Sequence, residues 1–545
     1  MKIAIAQLNY LIGDFEGNVN KILQYVEKAK SEHADIVCFG ELATCGYPPR
    51  DFLEFSHFIK NANESIERLK AASEGIAIVV GNPSVNPVVE GKDLYNSAYF
   101  IADGAVQHIQ HKALLPTYDI FDEYRYFEPA HDFELLEYKG KKIALTICED
   151  IWNIGNENPL YKICPLDIHI KNDPDFIINI SASPFSYHHA EARLEVLKAN
   201  VDRYKKPIFY SNNVGAQTEV IFDGGSVVMS PNGLIHREMP YFKECIEYFD
   251  LDEVMNGATE NAQPKDDIME IHDGIICGIQ DYFGKLGFTK AIIGLSGGID
   301  SAVTAALAAR ALGPENVWGI LMPSQYSSDH SVEDARDLSE NLGIKHDIIP
   351  IKGIYDEFLK ELTVHFKGTT FNVAEENIQA RTRGTLLMAL SNKFGHILLN
   401  TTNKSEMAVG YGTLYGDLAG GLSVLGDVYK TQVFDLARYI NKDTELIPIN
   451  SIEKPPSAEL RPNQKDSDSL PDYADLDKIL LEYIENRKGP TEIIDMGYDA
   501  QLVRRILRLV NINEFKRYQT APALRVSSKA FGVGRRMPIV GKYLS

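Results

Sequence analysis

Several things are scarce in this chain. Among its 545 residues there are six cysteines, and none falls in a paired spacing. Disulfide scaffolds and structural zinc modules need such spacing, so free thiols are expected. No apolar run approaches the roughly 20 residues that crossing a bilayer demands. The opening MKIAIAQLNYLIG has one lysine ahead of a short apolar stretch and continues into regular sequence. No secretory signal is expected there, and a cytoplasmic location is. Positive charge is scarce too: 55 Lys and Arg stand against 76 Asp and Glu, a net charge of −21. A general nucleic-acid binder needs a basic face for phosphates, so neither nucleic acid nor membrane is an expected partner. The exception is the tail. From Arg504 onward ten basic residues accompany one acidic residue, Glu514. That stretch is either a solvated helix face or a local anion site.

What is present is ordinary for a soluble globular protein, with 44% hydrophobic and 24% charged residues. The length implies two or three domains. In the first half, KIAIAQL, DIVCFGE, GIAIVVGN, SAYFIA, KIALTICED, DFIINISAS and PIFYSNN read as strands. NVNKILQYVEKAKSE, NESIERLKAASE and HAEARLEVLKANVDRYK carry helical spacing between them, which predicts layered α/β architecture. GGSVVMSPNG and IEYFDLDE read as closing hairpin strands. The polar NGATENAQPKDD predicts a linker over 256–267, between domains at 1–255 and 268–545. A second α/β pattern follows, with KAIIGLSGG, ENVWGILMPS, KHDIIPI and HILLNTTNKSE as strand-to-loop units. Ligands in open parallel sheets bind beyond the carboxyl ends of such strands. The polar segment EKPPSAELRPNQKDSDSLPDYADLD is either a lid or a linker.

The turn GLSGGIDS, comprising Gly294, Leu295, Ser296, Gly297, Gly298, Ile299, Asp300 and Ser301, suits a strand-to-helix anion cradle. It lacks the lysine that grips β- and γ-phosphates in the GxxxxGK[ST] loop, so that reading fails. A carboxylate beside phosphate implies an intervening Mg²⁺. SGGIDS resembles the pyrophosphate-binding signature of the N-type ATP pyrophosphatases, which release pyrophosphate and transfer AMP.

Upstream, Glu41 in DIVCFGE, Lys112 in QHKALLPTY and Cys148 in ALTICEDIW each end a predicted strand. In that order they resemble the triad of the nitrilase superfamily. The resemblance implies Cys148 as nucleophile, Glu41 as general base, Lys112 as oxyanion stabiliser and Glu123 as supporting carboxylate. It also implies that Tyr118, Ser183 and His189 contact glutamine, although many relatives carry a cationic residue at the last position. His188 and His189 read equally as surface residues entering a helix.

The two halves together, with FNVAEENIQARTRG and NTTNKSEMAVGYGTLYGD, resemble the glutamine-dependent NAD⁺ synthetases over essentially the whole chain. That implies a nitrilase-like α-β-β-α sandwich followed by a doubly wound parallel-sheet domain of the adenine nucleotide alpha hydrolase kind. The implied activity is a carbon–nitrogen ligase that amidates nicotinic acid adenine dinucleotide (deamido-NAD⁺) through an acyl-adenylate. The resemblance also implies ATP as a substrate, Mg²⁺ as a cofactor, and glutamine as the source of ammonia delivered through an enclosed passage. By the same resemblance the 294–301 turn, Thr401 and Lys430 contact ATP. Asn377, Arg381, Glu406, Asp417 and Lys516 line the deamido-NAD⁺ site, and Asp300 with Glu406 are the metal candidates. A homo-oligomer pairing through the synthetase domain is implied as well.

Overall fold

The computed structural model describes residues 1–154, 160–257, 266–462, 464, 466–468 and 470–544. The chain divides into two compact units, Met1–Lys265 and Asp266–Ser545. Of the expected linker, Asn256 and Gly257 finish a short helix, Leu251–Met255. Residues 258–265 lie outside the described residues, and Asp267 already opens the helix Asp267–Leu286. That early start has a local cause: the Asp266 carboxylate caps the helix by accepting the Met269 N–H at 2.9 Å.

The first unit is built on two six-stranded sheets. One contains β1 (Lys2–Gln7), β2 (Ile36–Cys38), β3 (Ala77–Val85), β4 (Leu94–Ala102) and β5 (Ala105–His111). The other contains β6 (Leu136–Tyr138), β7 (Lys141–Ile147), β8 (Phe176–Ser181), β9 (Ile208–Asn212), β12 (Val227–Met229) and β13 (Ile235–Glu238). A ribbon of β10 (Val214–Gln217) and β11 (Val220–Asp223) stands apart, and β14 (Cys245–Asp250) returns to pair antiparallel with β1. The sheet orders are β14-β1-β2-β3-β4-β5 and β13-β12-β9-β8-β7-β6, with parallel strands at each centre. Central strands are apolar on both faces because each face is covered. Ile3, Ile5, Ile36 and Val79 meet Leu145, Phe176, Ile178 and Phe209 between the sheets. On the outer side, Ala4, Val37 and Ile78 pack on Val19, Ile22, Val26 and Leu69 from the helices Phe15–Ser31 and Ser56–Ala72. The far sheet is covered by the helix His189–Tyr204 through Leu197 and Val201. This is the expected α-β-β-α sandwich.

The second unit carries one parallel sheet of β15 (Ala291–Leu295), β16 (Val317–Leu321), β17 (Lys345–Ile348), β18 (Ile397–Asn400) and β19 (Leu422–Ser423), ordered β17-β16-β15-β18-β19. The order reverses between β15 and β18, so a crevice opens at their carboxyl ends. On one face Ile292, Ile320 and Leu398 pack on Leu387 of the helix Val373–Phe394. C-terminal helices Tyr473–Ile484 and Ala500–Ile512 add a separate cluster around Leu476, Leu480, Val503 and Ile506. The segment expected as lid or linker is neither a bare tether nor detached. Residues 454–460 line the cavity described below, and its end is already helical from Tyr473. No helix among the described residues is long and apolar enough to cross a membrane, and all six cysteines are free thiols.

Candidate active sites

In the first unit three strands end beside one another. Cys148 directly follows β7 and Lys112 directly follows β5, while Glu41 lies three residues past β2. Glu41 and Lys112 are 0% exposed, and Glu123 and Cys148 are 5% exposed. Lys112 Nζ donates to Glu41 Oε1 at 2.7 Å and to Glu123 Oε1 at 2.8 Å. The remaining lone pairs are matched as well. Glu41 accepts from Asn96 Nδ2 at 2.6 Å and from the Ala182 N–H at 3.0 Å, and Glu123 accepts from the Tyr47 hydroxyl at 2.7 Å. Gly81 makes room for this: a Cβ there would come 2.1 Å from the Leu42 nitrogen. Cys148 has φ +42°, a left-handed conformation that costs a non-glycine residue of order 1–3 kcal/mol and presents the thiol on a tight turn.

Two carboxylates around one ammonium leave excess negative charge in a dry place. Burial alone would depress the Lys112 ammonium, but the Glu123 and Glu41 carboxylates win and hold it well above its ordinary value. Burial, aided by the Glu41 charge, pushes Glu123 up to about 7 against the pull of Lys112. Burial and then Glu41 also push the Cys148 thiol well up, with Lys112 opposing. Cys148 therefore rests as a thiol, and any reaction at its sulfur would need a neighbouring base to take the proton.

The sequence reading missed two residues that the turn CED placed in plain view. Asp150 accepts three backbone N–H groups, from Ala113 at 3.0 Å, Leu114 at 2.9 Å and Ile147 at 3.1 Å. It thus ties the residues after Lys112 to the residue before Cys148. Burial raises its carboxyl to about 7 despite those bonds. Glu149 accepts from the Tyr118 hydroxyl at 2.9 and 3.0 Å and from the Tyr161 hydroxyl at 3.1 Å. Tyr118 is thereby held at the Cys148 turn. Ser183 Oγ lies 2.9 Å from His189 Nε2, and the His189 ring stacks on Trp152 at 5.3 Å. His188 is exposed, as a surface residue would be, whereas His189 is half-buried.

In the second unit the glycine turn joins β15 to the helix Ile299–Leu312. Gly297 has φ +77°, and a Cβ there would lie 2.1 Å from the Ser331 carbonyl oxygen. No other residue fits that approach. Ser301 Oγ donates to the Gly298 carbonyl at 3.0 Å and lies 3.2 Å from Ser296 Oγ. A cavity of about 640 Å³ opens on this turn. Gly294, Leu295, Ser296, Gly298, Ile299, Asp300 and Ser301 line it, as do Thr401, Lys430, Asn377, Arg381, Glu406, Asp417 and Lys516. Gly297 is the one expected turn residue outside the lining; its carbonyl accepts from Ser451 Oγ instead.

Lys430 Nζ is bonded to Asp300 Oδ2 and lies 3.7 Å from Glu406 Oε1, and Asn403 Nδ2 donates to Asp300 Oδ1 at 2.9 Å. Glu406 also closes a capping box with Asn403, accepting its N–H at 3.3 Å while Asn403 Oδ1 accepts the Glu406 N–H at 3.0 Å. Burial first, and then the Asp300 charge, raise Glu406 to about 8. A third carboxylate, Asp466, accepts from the Tyr411 and Tyr473 hydroxyls at 3.1 Å each. On the other wall Thr413 Oγ1 donates to Asn377 Oδ1 at 2.8 Å, and Thr413 N–H to Asp417 Oδ1 at 2.8 Å. Arg381 Nε reaches the Leu414 carbonyl at 3.2 Å, and Lys516 Nζ reaches those of Gly410 and Gly412 at 2.7 and 2.8 Å. Among the described residues no three His, Cys, Asp or Glu side chains are grouped to hold a metal ion by themselves. Magnesium needs only one or two carboxylates when phosphates complete its shell. Asp300 and Glu406, crowded beyond what Lys430 neutralises, are a fitting pair.

Comparison with known proteins agrees with this division. Residues 2–259 match the carbon-nitrogen hydrolase family and residues 271–520 the NAD synthase family. A glutamine-dependent NAD(+) synthetase of Synechocystis sp. is 45% identical, with 98% of each chain covered. The solved glutamine-dependent NAD+ synthetase of Acinetobacter baumannii, in complex with adenosine diphosphate, is 38% identical with a TM-score of 0.78, covering 99% of this chain and 98% of that one. The enzyme of the same description from Cytophaga hutchinsonii, 22% identical with a TM-score of 0.84, covers 99% of this chain and 98% of its own and shows the shared fold. With thiol centre, glycine turn and full-length likeness in one chain, the protein belongs to the glutamine-dependent NAD(+) synthetases.

Proposed function

We propose that the two sites divide the work as follows. In the first unit Cys148 Sγ attacks the side-chain amide of glutamine, and its proton passes to Glu41. Lys112 donates to the oxyanion as the tetrahedral adduct forms. Collapse expels ammonia with the proton from Glu41 and leaves a thioester, which water hydrolyses to glutamate with Glu41 again as base. Glu123 and Tyr47 keep Lys112 in place. Tyr118, Ser183 and His189 hold the amino-acid end, and the Glu149 carboxylate beside Tyr118 suits its ammonium.

In the second unit the carboxylate of deamido-NAD⁺ attacks the α-phosphorus of ATP, giving acyl-adenylate and pyrophosphate. Ammonia then adds to the acyl carbon, AMP leaves, and the amide of NAD⁺ results with loss of one proton. A free carboxylate resists amidation because its oxygen leaves badly; adenylation supplies the leaving group. The 294–301 turn, Thr401 and Lys430 hold ATP. Asn377, Arg381, Glu406, Asp417 and Lys516 hold the dinucleotide. Mg²⁺ bound by Asp300 and Glu406 would neutralise phosphate charge. A cytoplasmic homo-oligomer, paired through the synthetase unit, completes the proposal.

What supports this reading most is that one chain carries a buried thiol–carboxylate–ammonium centre in one unit and a charged cavity at a glycine turn in the other. The test is Cys148→Ala assayed with each nitrogen donor. Glutamine-supported NAD⁺ synthesis is expected to vanish while synthesis from ammonium chloride persists. Loss of both would mean the two half-reactions are not separable as described.

A further inference from the structure

Arg383 lies on the helix Val373–Phe394 and lines the same cavity. Its Nε donates to the Met322 carbonyl at 3.0 Å, and among the described residues it makes no other hydrogen bond and no ion pair. Three cations that are buried more completely rest on carboxylates. Lys112 has Glu41, Arg193 has Asp223, and Lys404 has Asp427. Arg383 keeps only partial exposure, through the cavity it lines. A charge largely withdrawn from water without a counter-ion is disfavoured, so a folded protein keeps one where something else supplies the partner. Burial holds the Arg383 guanidinium at about 10, below its ordinary value, and the more distant Asp417 and Glu459 carboxylates offset only part of that.

Two details say what the partner is. The single bond uses Nε, which leaves both Nη groups for an incoming acceptor, and the planar fork of arginine suits phosphate. The anchor is also close to the phosphate turn: a Cβ on Gly294, the first residue of that turn, would lie 3.4 Å from the Met322 methyl group. We infer that Arg383 binds a phosphate of a nucleotide substrate, either in ATP or in the pyrophosphate bridge of the dinucleotide. The inference rests on the functional reading above.

The test measures binding of ATP and of deamido-NAD⁺ separately, by titration calorimetry on the full-length protein. Arg383→Met keeps the aliphatic bulk and removes the charge; Arg383→Lys keeps the charge and loses the Nε bond. Arg383→Met is expected to weaken one nucleotide by about ten- to a hundred-fold, the loss expected for a charge-assisted bond, and the other much less. Arg383→Lys should recover part of that loss, and the nucleotide affected identifies the phosphate. Wild-type affinity for both nucleotides in both variants would overturn the inference, as would equal weakening of both, which means the pocket has collapsed. If Arg383→Met does not fold, Arg383→Lys alone decides: wild-type affinity for both nucleotides overturns the inference, and selective weakening of one supports it. Failure of the wild-type protein to form NAD⁺ would instead sink the functional reading and leave these binding data interpretable.

Discussion

The thiol centre and the nucleotide cavity solve opposite electrostatic problems. At the thiol centre each charge already lies on protein: Lys112 bridges two carboxylates, and Asn96, Tyr47 and the Ala182 N–H take their other lone pairs. At the cavity, Asp300, Glu406 and Asp466 surround a single lysine, Lys430, and Lys516 is held by carbonyls alone among the described residues. The substrates explain the contrast. Glutamine brings a neutral amide to be cut, so the charges that act on it must be set in place beforehand. On the proposed reading ATP and a dinucleotide bring several charges to the cavity, which keeps its own partly unmatched until they arrive.

That contrast can be broken by experiment. Lys112→Met should have the largest effect, because it strands two buried carboxylates. Glutamine-supported synthesis should fall below detection, and the N-terminal unit should lose about 3–5 kcal/mol of stability, read as an earlier transition in calorimetry. Asp300→Asn should lower kcat about a hundred- to a thousand-fold with either nitrogen donor, while thermal unfolding stays near wild type. A large loss of stability there would mean the cavity is as tightly preset as the thiol centre. Asp150→Asn should reduce glutaminase kcat about ten- to a hundred-fold with little change in KM for glutamine, because an amide cannot accept all three N–H groups. Ammonium-supported synthesis should be unaffected. The smallest effect concerns pH. Glu123, raised to about 7, is ionised above that value and protonated below it, so its second hold on Lys112 weakens as pH falls. Glutaminase activity should decline through an acid limb near 7, and Glu123→Gln should remove that limb at a lower plateau. A limb that survives in Glu123→Gln belongs to another group.

Much of the architecture could be read without coordinates. KIAIAQ is a buried central strand because nothing polar interrupts it, and Phe15–Ser31 is a helix because Val19, Ile22 and Val26 recur on one side beyond the Asp14 cap. Of β5, AVQHIQH, only the end before Lys112 was legible, because it is an edge strand, half exposed and rich in polar side chains. The ribbon β10–β11 escaped because four-residue strands carry too little pattern.

At the thiol centre the sequence by itself determined which chemical groups exist and that Lys112 and Cys148 each follow a strand, since strand ends follow from local alternation of apolar and polar residues. It could not determine which groups meet. Asp150 and Glu149 sit beside Cys148 in the chain, yet one grips the Lys112 loop and the other faces Tyr118, a choice set by the twist of the Cys148 turn. Lys430 reaches Asp300 across 130 residues, and Arg383 reaches Met322 across 61. Charge balance is a sum over neighbours in space. Only the tertiary structure could leave Lys112 saturated and Arg383 without a counter-ion, because packing alone fixes those neighbours.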